Sequence, residues 1–310
     1  DTTTLADSGI SFFNISYLGT KGVFVALLAG LIVSRLLALI TEKNIVIKLP
    51  DSVPEMVSES LSSLLAGVII TIVFLIFRAL FAVTPYGNAT DCIYTIIQTP
   101  LQSLTGNLPA FIIIILIAQL LWFFGIHGSM TVLPILFPIW LSYIGDNTAA
   151  MAAGKTIPHV LNIGLWDLAN LGGSGATIGL VILMFFKAKS NQYKSFGKLT
   201  LPCGIFSVNE PVIFGLPVIL NPIMLIPFII CPIVLVCLGY ALIQFGIVTA
   251  PIGILGLGSM PPLISGIMQG SLSWGIYQLV AVVISIIIYY PFFKTIDNQA
   301  LAKEKGEQGE

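Results

Sequence analysis

Apolar residues gather along this chain in long uninterrupted runs, with no two-residue alternation of the kind that marks a half-buried strand. Five runs are the best candidates for bilayer-crossing helices: Gly22–Leu39, Leu61–Val83, Leu108–Gly125, Pro222–Gly246 and Gly275–Phe293. A crossing takes roughly 20 mostly apolar residues. Other apolar stretches are interrupted. Gly128–Ile144 carries Pro134 and Pro138, Leu199–Leu220 carries Pro211 and Pro217, and Pro251–Gly270 is rich in glycine and proline. The last predicts broken helix or packed loop. Leu49–Leu65 and Asp91–Leu104 mix prolines and acids with spaced apolar residues, a pattern that predicts helices lying in the interface or linking two rigid bodies.

Composition fixes the class. The 310 residues are 56% hydrophobic and 9% charged, with mean hydropathy +1.01, whereas soluble domains run near 25% charged. The fold class is therefore an all-α integral membrane protein, polytopic, with several transmembrane helices. A net charge of −1 offers no basic surface for nucleic acid. Cys92, Cys203, Cys231 and Cys237 form neither a CxxC pair nor a His/Cys cluster at metal-ligand spacing. They read as structural, and neither a metal nor a cofactor motif is present. The start, DTTTLADSGI, lacks methionine and a signal-peptide pattern, so a processed product or a fragment of a longer protein is expected.

Charge placement orients the segments. Lys187, Lys189, Lys194 and Lys198 are expected in one short connection, which the preference of basic loops for the cytoplasm puts inside. Lys43 and Lys48 mark a second inside loop, and the charged tail from Lys294 to Glu310 a third. Thr84–Asp91 has no basic residue and is expected outside. Passing from outside near 88 to inside near 190 requires an odd number of crossings. Leu108–Gly125 and Gly172–Phe186 supply two, so Gly128–Ile144 must supply the third, as a broken or strongly tilted segment. Leu199–Leu220 must leave and return on the same side, which predicts a re-entrant hairpin. Lipid cannot satisfy loose backbone groups, so irregular chain at membrane depth is buried in protein or lines a watery cavity. Broken segments of this kind are where transporters build their sites.

Those segments hold the candidate chemistry. Glu210 stands in FSVNEPVIFGLPVILNP with no lysine or arginine within ten residues. An unpaired carboxylate at that depth is costly. It reads either as a protonated group bonding local amides or as a partner, or proton acceptor, for a polar ligand. His127, in GIHG, either ties a helix end or faces a cavity shared with Glu210. Trp166–Leu180 (WDLANLGGSGATIGL) offers Asp167, Asn170 and a turn that suits phosphate or close helix packing alike. Trp122, Trp166 and Trp274 suit interface anchoring or stacking on a sugar ring. Arg35 and Arg78 read as snorkelling residues, and His159 and Asp146 as solvated or structural ones.

At NEPVIFGLPVILNP, WFFGIHGSM, LANLGGSGATIGL and VPEMVSESLSSLL, together spanning roughly residues 50–225, the chain resembles a known family. It is similar to the membrane-embedded IIC components of the sugar phosphotransferase system, in the lactose/cellobiose/diacetylchitobiose branch. The resemblance implies a multi-pass protein of the bacterial inner membrane, a homodimer in lipid that binds a disaccharide. A cytoplasmic IIB partner bearing a phosphocysteine would phosphorylate the sugar's 6-hydroxyl. It implies an oligomerisation part over 1–90 whose first helices have no counterpart here, a substrate-binding transport part over 91–293, and a polar cytoplasmic tail over 294–310. Carried over residue by residue, Glu210 and His127 are the catalytic pair at the sugar, with Asn209, Trp122 and Asn170 as further sugar-binding residues. A β-linked disaccharide such as diacetylchitobiose or cellobiose is expected ahead of lactose, whose permeases often carry a fused IIB domain. The alternative from another class is an ion-coupled secondary transporter with re-entrant hairpins, in which Glu210 would carry a proton or help bind sodium.

Overall fold

In a computed structural model, residues 22–45, 55–98, 106–216 and 218–307 are described. Lys48, the start of the Leu49–Leu65 segment, the end of Asp91–Leu104, Pro217 and the last three residues lie outside that set. Every regular element among the described residues is helical, and contacts divide the chain into two units, Asp1–Gln102 and Ser103–Glu310.

The first unit holds α1 (Val23–Glu42), α2 (Glu55–Ala82) and α3 (Ala89–Ile93), the last continuing through a π turn at Tyr94–Gln98. The polar start at Glu55 and the apolar run after it form one continuous helix rather than two elements. Asn88 begins α3 by accepting the Asp91 amide at 2.8 Å. Leu31, Leu64, Leu75 and Ile76 are exposed, as expected of helices whose solvent is lipid. Arg35 reaches along α1 to Glu42 (3.5 Å) with both side chains exposed, a pair of small energetic weight that carries the guanidinium toward the helix end.

The second unit contains α4 (Leu108–Phe123), α5 (Gly128–Ala152), α6 (Ile163–Ala169), α7 (Ile178–Lys187), α8 (Asn191–Ile205), α9 (Glu210–Gly215), α10 (Pro222–Gln244), α11 (Ile264–Met268) and α12 (Leu272–Glu307). Asparagines start three of them: Asn107, Asn162 and Asn221 each accept a first-turn amide, with prolines in the first turns of α4 and α10. This is the usual chemistry of a helix start. One end of the unit gathers Gly106, Tyr143, His159, Tyr240 and Gln244. The other gathers the α7–α8 junction and the last third of α12, so α10 and α12 run antiparallel between the two ends.

The sequence expectations are corrected in three places. Gly128–Ile144 is not broken: α5 stays a single helix through Pro134 and Pro138. The hairpin expected over Leu199–Leu220 begins earlier, because α8 starts at Asn191 behind the Ser190 cap. Lys194 and Lys198 therefore sit on a helix and not in a loop. Finally, the charged segment after Lys294 continues α12 as helix to Glu307. Pro251–Gly270 follows its expectation, as packed loop with a 3-10 turn at Leu257–Ser259 and the short α11.

Buried amide side chains satisfy this irregular chain. Asn147 binds His159 O and Ile252 O, Asn162 binds His159 O and Pro251 O, and Gln269 Oε1 accepts the amides of Gly253 and Ile254. Asp297 does the same for the start of α8. Its two oxygens accept from Lys189 N (2.8 Å), Ser190 N (3.0 Å) and Ser190 Oγ (2.7 Å) while the residue is 3% exposed. Each buried donor left unpaired costs roughly 1–3 kcal/mol. Asp297→Ala should thus lower the detergent thermal-unfolding midpoint by several degrees, and Glu304→Ala, whose carboxylate binds the exposed Asn191 and Gln192 amides, by less. Equal midpoints for wild type and Asp297→Ala would refute this role.

Candidate functional site

Two loops at the ends of half-length helices build the centre of the second unit. After α7's partner α6 ends at Ala169, the run Gly172, Gly173, Gly175 and Ala176 takes positive φ, from +52° to +96°. Glycine adopts this region freely. The second loop, Phe206–Asn209, joins α8 to α9 and holds Ser207 at φ +58°. The two are stitched together. Asn209 Nδ2 donates to Ser174 O (2.7 Å) and Thr177 Oγ1 (2.9 Å), and Ser207 Oγ accepts the Gly172 amide at 3.2 Å. A Cβ on Gly173 would overlap the Asn209 side chain. From behind, Tyr289 OH and Ser285 Oγ of α12 donate to Gly175 O and Ala176 O, both at 2.7 Å.

The stitching delivers Glu210, the first residue of α9, beside the turn between α4 and α5. There His127 serves as N-cap of α5: its Nδ1 accepts the Met130 amide at 3.1 Å. With Nδ1 occupied as an acceptor, neutral imidazole carries its proton on Nε2. That nitrogen lies 3.8 Å from Glu210 Oε1, beyond a direct hydrogen bond but spaced to share one polar group. Both side chains keep access to solvent, at 38% and 48% exposure. Trp122 packs against the imidazole with ring centroids 4.2 Å apart, and its buried Nε1 has no hydrogen-bond partner among the described residues. His127 thus ties the start of α5 and lines the same cleft as Glu210, so the two positions left open by the sequence are compatible.

Glu210, His127, Trp122, Asn170 and Asn209, the residues expected at a site, line a single cleft of about 220 Å³. Their freedom differs. Asn209 is 3% exposed, with both amide hydrogens committed to the other loop. Asn170 spends Nδ2 on Trp166 O, and its Oδ1 accepts from Ser174 Oγ, which also meets Ser129 Oγ. The sequence reading omitted Ser129, Ser174 and Ser207, whose sequence neighbourhood carries no mark of polarity beyond the loops themselves. It also omitted the Gly256–Ser259 segment on the cleft's rim. Trp166 lines the cleft and stacks near Trp140 (5.6 Å). Trp274 lies elsewhere, buried beside Tyr277. His159 contacts Asp146 at 3.0 Å and stacks flat on Tyr143, as structural residues do.

The sequence profile described as "Phosphotransferase system, EIIC" matches residues 2–232. The chain belongs to the phosphotransferase system EIIC family. Among EIIC relatives, the lichenan permease IIC component of Bacillus subtilis (strain 168) is 37% identical over 94% of this chain and 65% of its own length. The cellobiose-specific EIIC component of Geobacillus stearothermophilus is 37% identical over 94% of this chain and 66% of its own. The crystal structure of the transporter ChbC, the IIC component from the N,N'-diacetylchitobiose-specific phosphotransferase system, superposes with TM-score 0.90. It is 36% identical and covers 96% of this chain and 69% of that one. The chain thus spans about two thirds of the length of these EIIC proteins, a little less for the two relatives.

If the two-loop stitch sets the cleft, filling its closest approach should disrupt it. Gly173→Ala adds a methyl against Asn209 at a φ of +96°, a backbone penalty of about 1–2 kcal/mol before the steric overlap. The expected result is a clear drop in detergent thermal stability. Gly306→Ala, with open space around it, should change nothing; equal behaviour of the two variants would contradict the packing account.

Proposed function

We propose that this EIIC chain forms the sugar-binding and translocating part of a permease for a β-linked disaccharide, diacetylchitobiose or cellobiose. The observation that carries the reading is the pairing of Glu210 with His127 across 3.8 Å, in a cleft walled by Trp122 and Trp166 and formed where helices break. Sugars present hydroxyl rims and apolar ring faces. The cleft offers the Glu210 carboxylate and the His127 imidazole N–H to the first, and the edges of the nearly buried Trp122 and Trp166 to the second.

Chemically, the pair suits a hydroxyl that becomes a nucleophile. Glu210 accepts the hydroxyl's hydrogen bond and takes its proton as the oxygen attacks phosphorus, which is general-base work. His127 Nε2–H donates to the same oxygen and fixes its direction. On this reading a cytoplasmic IIB protein supplies the phosphocysteine. An O–P bond forms, the S–P bond breaks, and the cysteine leaves as thiolate. This chain contributes position, holding the acceptor in reach of the donor. On the same reading residues 1–90 belong to the oligomerisation part of a homodimer in the lipid bilayer, and residues 91–293 form the transport part that carries the sugar. Apolar runs, exposed apolar helices and family membership all support a multi-pass place in a bacterial membrane.

Two outcomes follow. Sugar taken up by cells with an intact phosphotransferase system should accumulate as the 6-phosphate and continue to enter after ion gradients are collapsed. Free sugar inside and gradient-dependent entry would instead mark an ion-coupled carrier. Glu210→Gln should reduce phosphorylation-coupled uptake by roughly 100-fold or more, the scale of a lost general base, with the unfolding midpoint unchanged. His127→Ala should weaken sugar binding and also cost about 1 kcal/mol of stability through the lost cap. His127→Asn restores a capping side chain, so it should recover the stability and not the binding.

A further inference from the structure

Asp167 is the one carboxylate of the cleft that the reaction leaves unused. It sits on α6 between Trp166 and Asn170, both cleft residues, and lines the cleft with them. The residue as a whole is half-buried. Its Oδ2 is sealed from solvent and has no hydrogen-bond partner among the described residues. Its Oδ1 lies under the Gly256–Ser259 segment so closely that a Cβ on Gly258 would collide with it. An unpartnered carboxyl oxygen shut away from water is costly, and among the described residues no lysine or arginine lines the cleft to offset it. Asn147, Asn162, Asn209, Gln269 and Asp297 spend oxygens or amides on backbone; Gln119 and the indoles of Trp122, Trp140 and Trp274 share with Asp167 a buried polar atom that has no partner among the described residues, and of these Asp167 alone is a carboxyl.

We propose that Asp167 is a further specificity-determining residue of the sugar site, accepting a hydrogen bond from a second polar group of the disaccharide, distinct from the 6-hydroxyl held by Glu210 and His127. The inference rests on the permease reading and deepens it. An O–H to carboxylate bond is among the strong ones, and a site built to bond a hydroxyl rejects the analogue that lacks it. The collision at Gly258 gives the Gly256–Ser259 segment its part: the absent side chain lets the loop close over the carboxyl and narrow the groups that reach it. Nothing in this role requires Asp167 to touch the phosphoryl group. Its loss should therefore show first in the sugar dissociation constant.

The test is calorimetric titration of detergent-purified protein with cellobiose, diacetylchitobiose and a series of monodeoxy cellobioses. In the wild type, two positions should matter: the 6-hydroxyl, and one other whose removal weakens binding roughly tenfold or more. In Asp167→Asn the parent sugar should lose about the same factor, and the second deoxy penalty should vanish while the 6-deoxy penalty stays. A uniform loss across the series would mark a merely structural residue and overturn the proposal, as would wild-type affinities throughout. The wild-type series stands even if the variant fails to fold: a single sensitive position, the 6-hydroxyl, also overturns it. A wild type that binds no β-linked disaccharide overturns the permease reading itself, whereas binding with no effect at Asp167 overturns this inference alone.

Discussion

The amide of Asn209 holds the molecule's centre together. Non-helical backbone inside a bilayer has no water to bond and must find every partner within the protein. Two such stretches meet here, the glycine turn after α6 and the break between α8 and α9, and Asn209 Nδ2 joins them through Ser174 O and Thr177 Oγ1. Gly173 is needed because the Asn209 side chain comes so close, Gly175 because Phe228 does, and Tyr289 and Ser285 brace the junction from α12. Glu210 follows Asn209 directly. Its position is therefore fixed by a neighbour that never has to contact a ligand.

That arrangement separates rigidity from chemistry. Asn209 commits both amide hydrogens to Ser174 O and Thr177 Oγ1, and Asn147 and Asn162 bond backbone carbonyls, while Glu210 and His127 keep their outer faces open. His127 bridges the two roles, since one ring nitrogen starts α5 and the other turns toward Glu210. The fold itself holds this pair 3.8 Å apart, the kind of preorganisation that spares reorganisation on binding. The first unit stands apart in character: its helices bury few of their own apolar side chains, as expected of elements whose surroundings are lipid and other chains.

Much of this was legible in the sequence for physical reasons. Long apolar runs require helices, and the segments that the parity of basic loops called on to cross, Leu108–Gly125, Gly128–Ile144 and Gly172–Phe186, do form the helices α4, α5 and α7. Glu210 announced itself as a charge without a partner, and the GIHG and GGSGAT motifs pointed to the loops beside it. Other features were hidden. Pro134 and Pro138 read as a break, yet α5 runs on as one helix, because local sequence does not reveal how surrounding helices hold it. Asp297 looked like part of a loose tail, and only the packed structure shows it capping α8 from more than a hundred positions away. The meeting of Ser129 with Ser174 was invisible because it joins the start of α5 to the glycine turn 45 positions away.

The central claim is that Glu210 receives the hydroxyl destined for phosphate. The most direct measurement is a thermodynamic cycle of binding, with the parent disaccharide and its 6-deoxy analogue each titrated into wild type and Glu210→Gln. The account predicts that removing the hydroxyl weakens binding to the wild type and changes little in the variant, leaving a coupling of about 1–3 kcal/mol. Equal deoxy penalties in both proteins, hence no coupling, would contradict it.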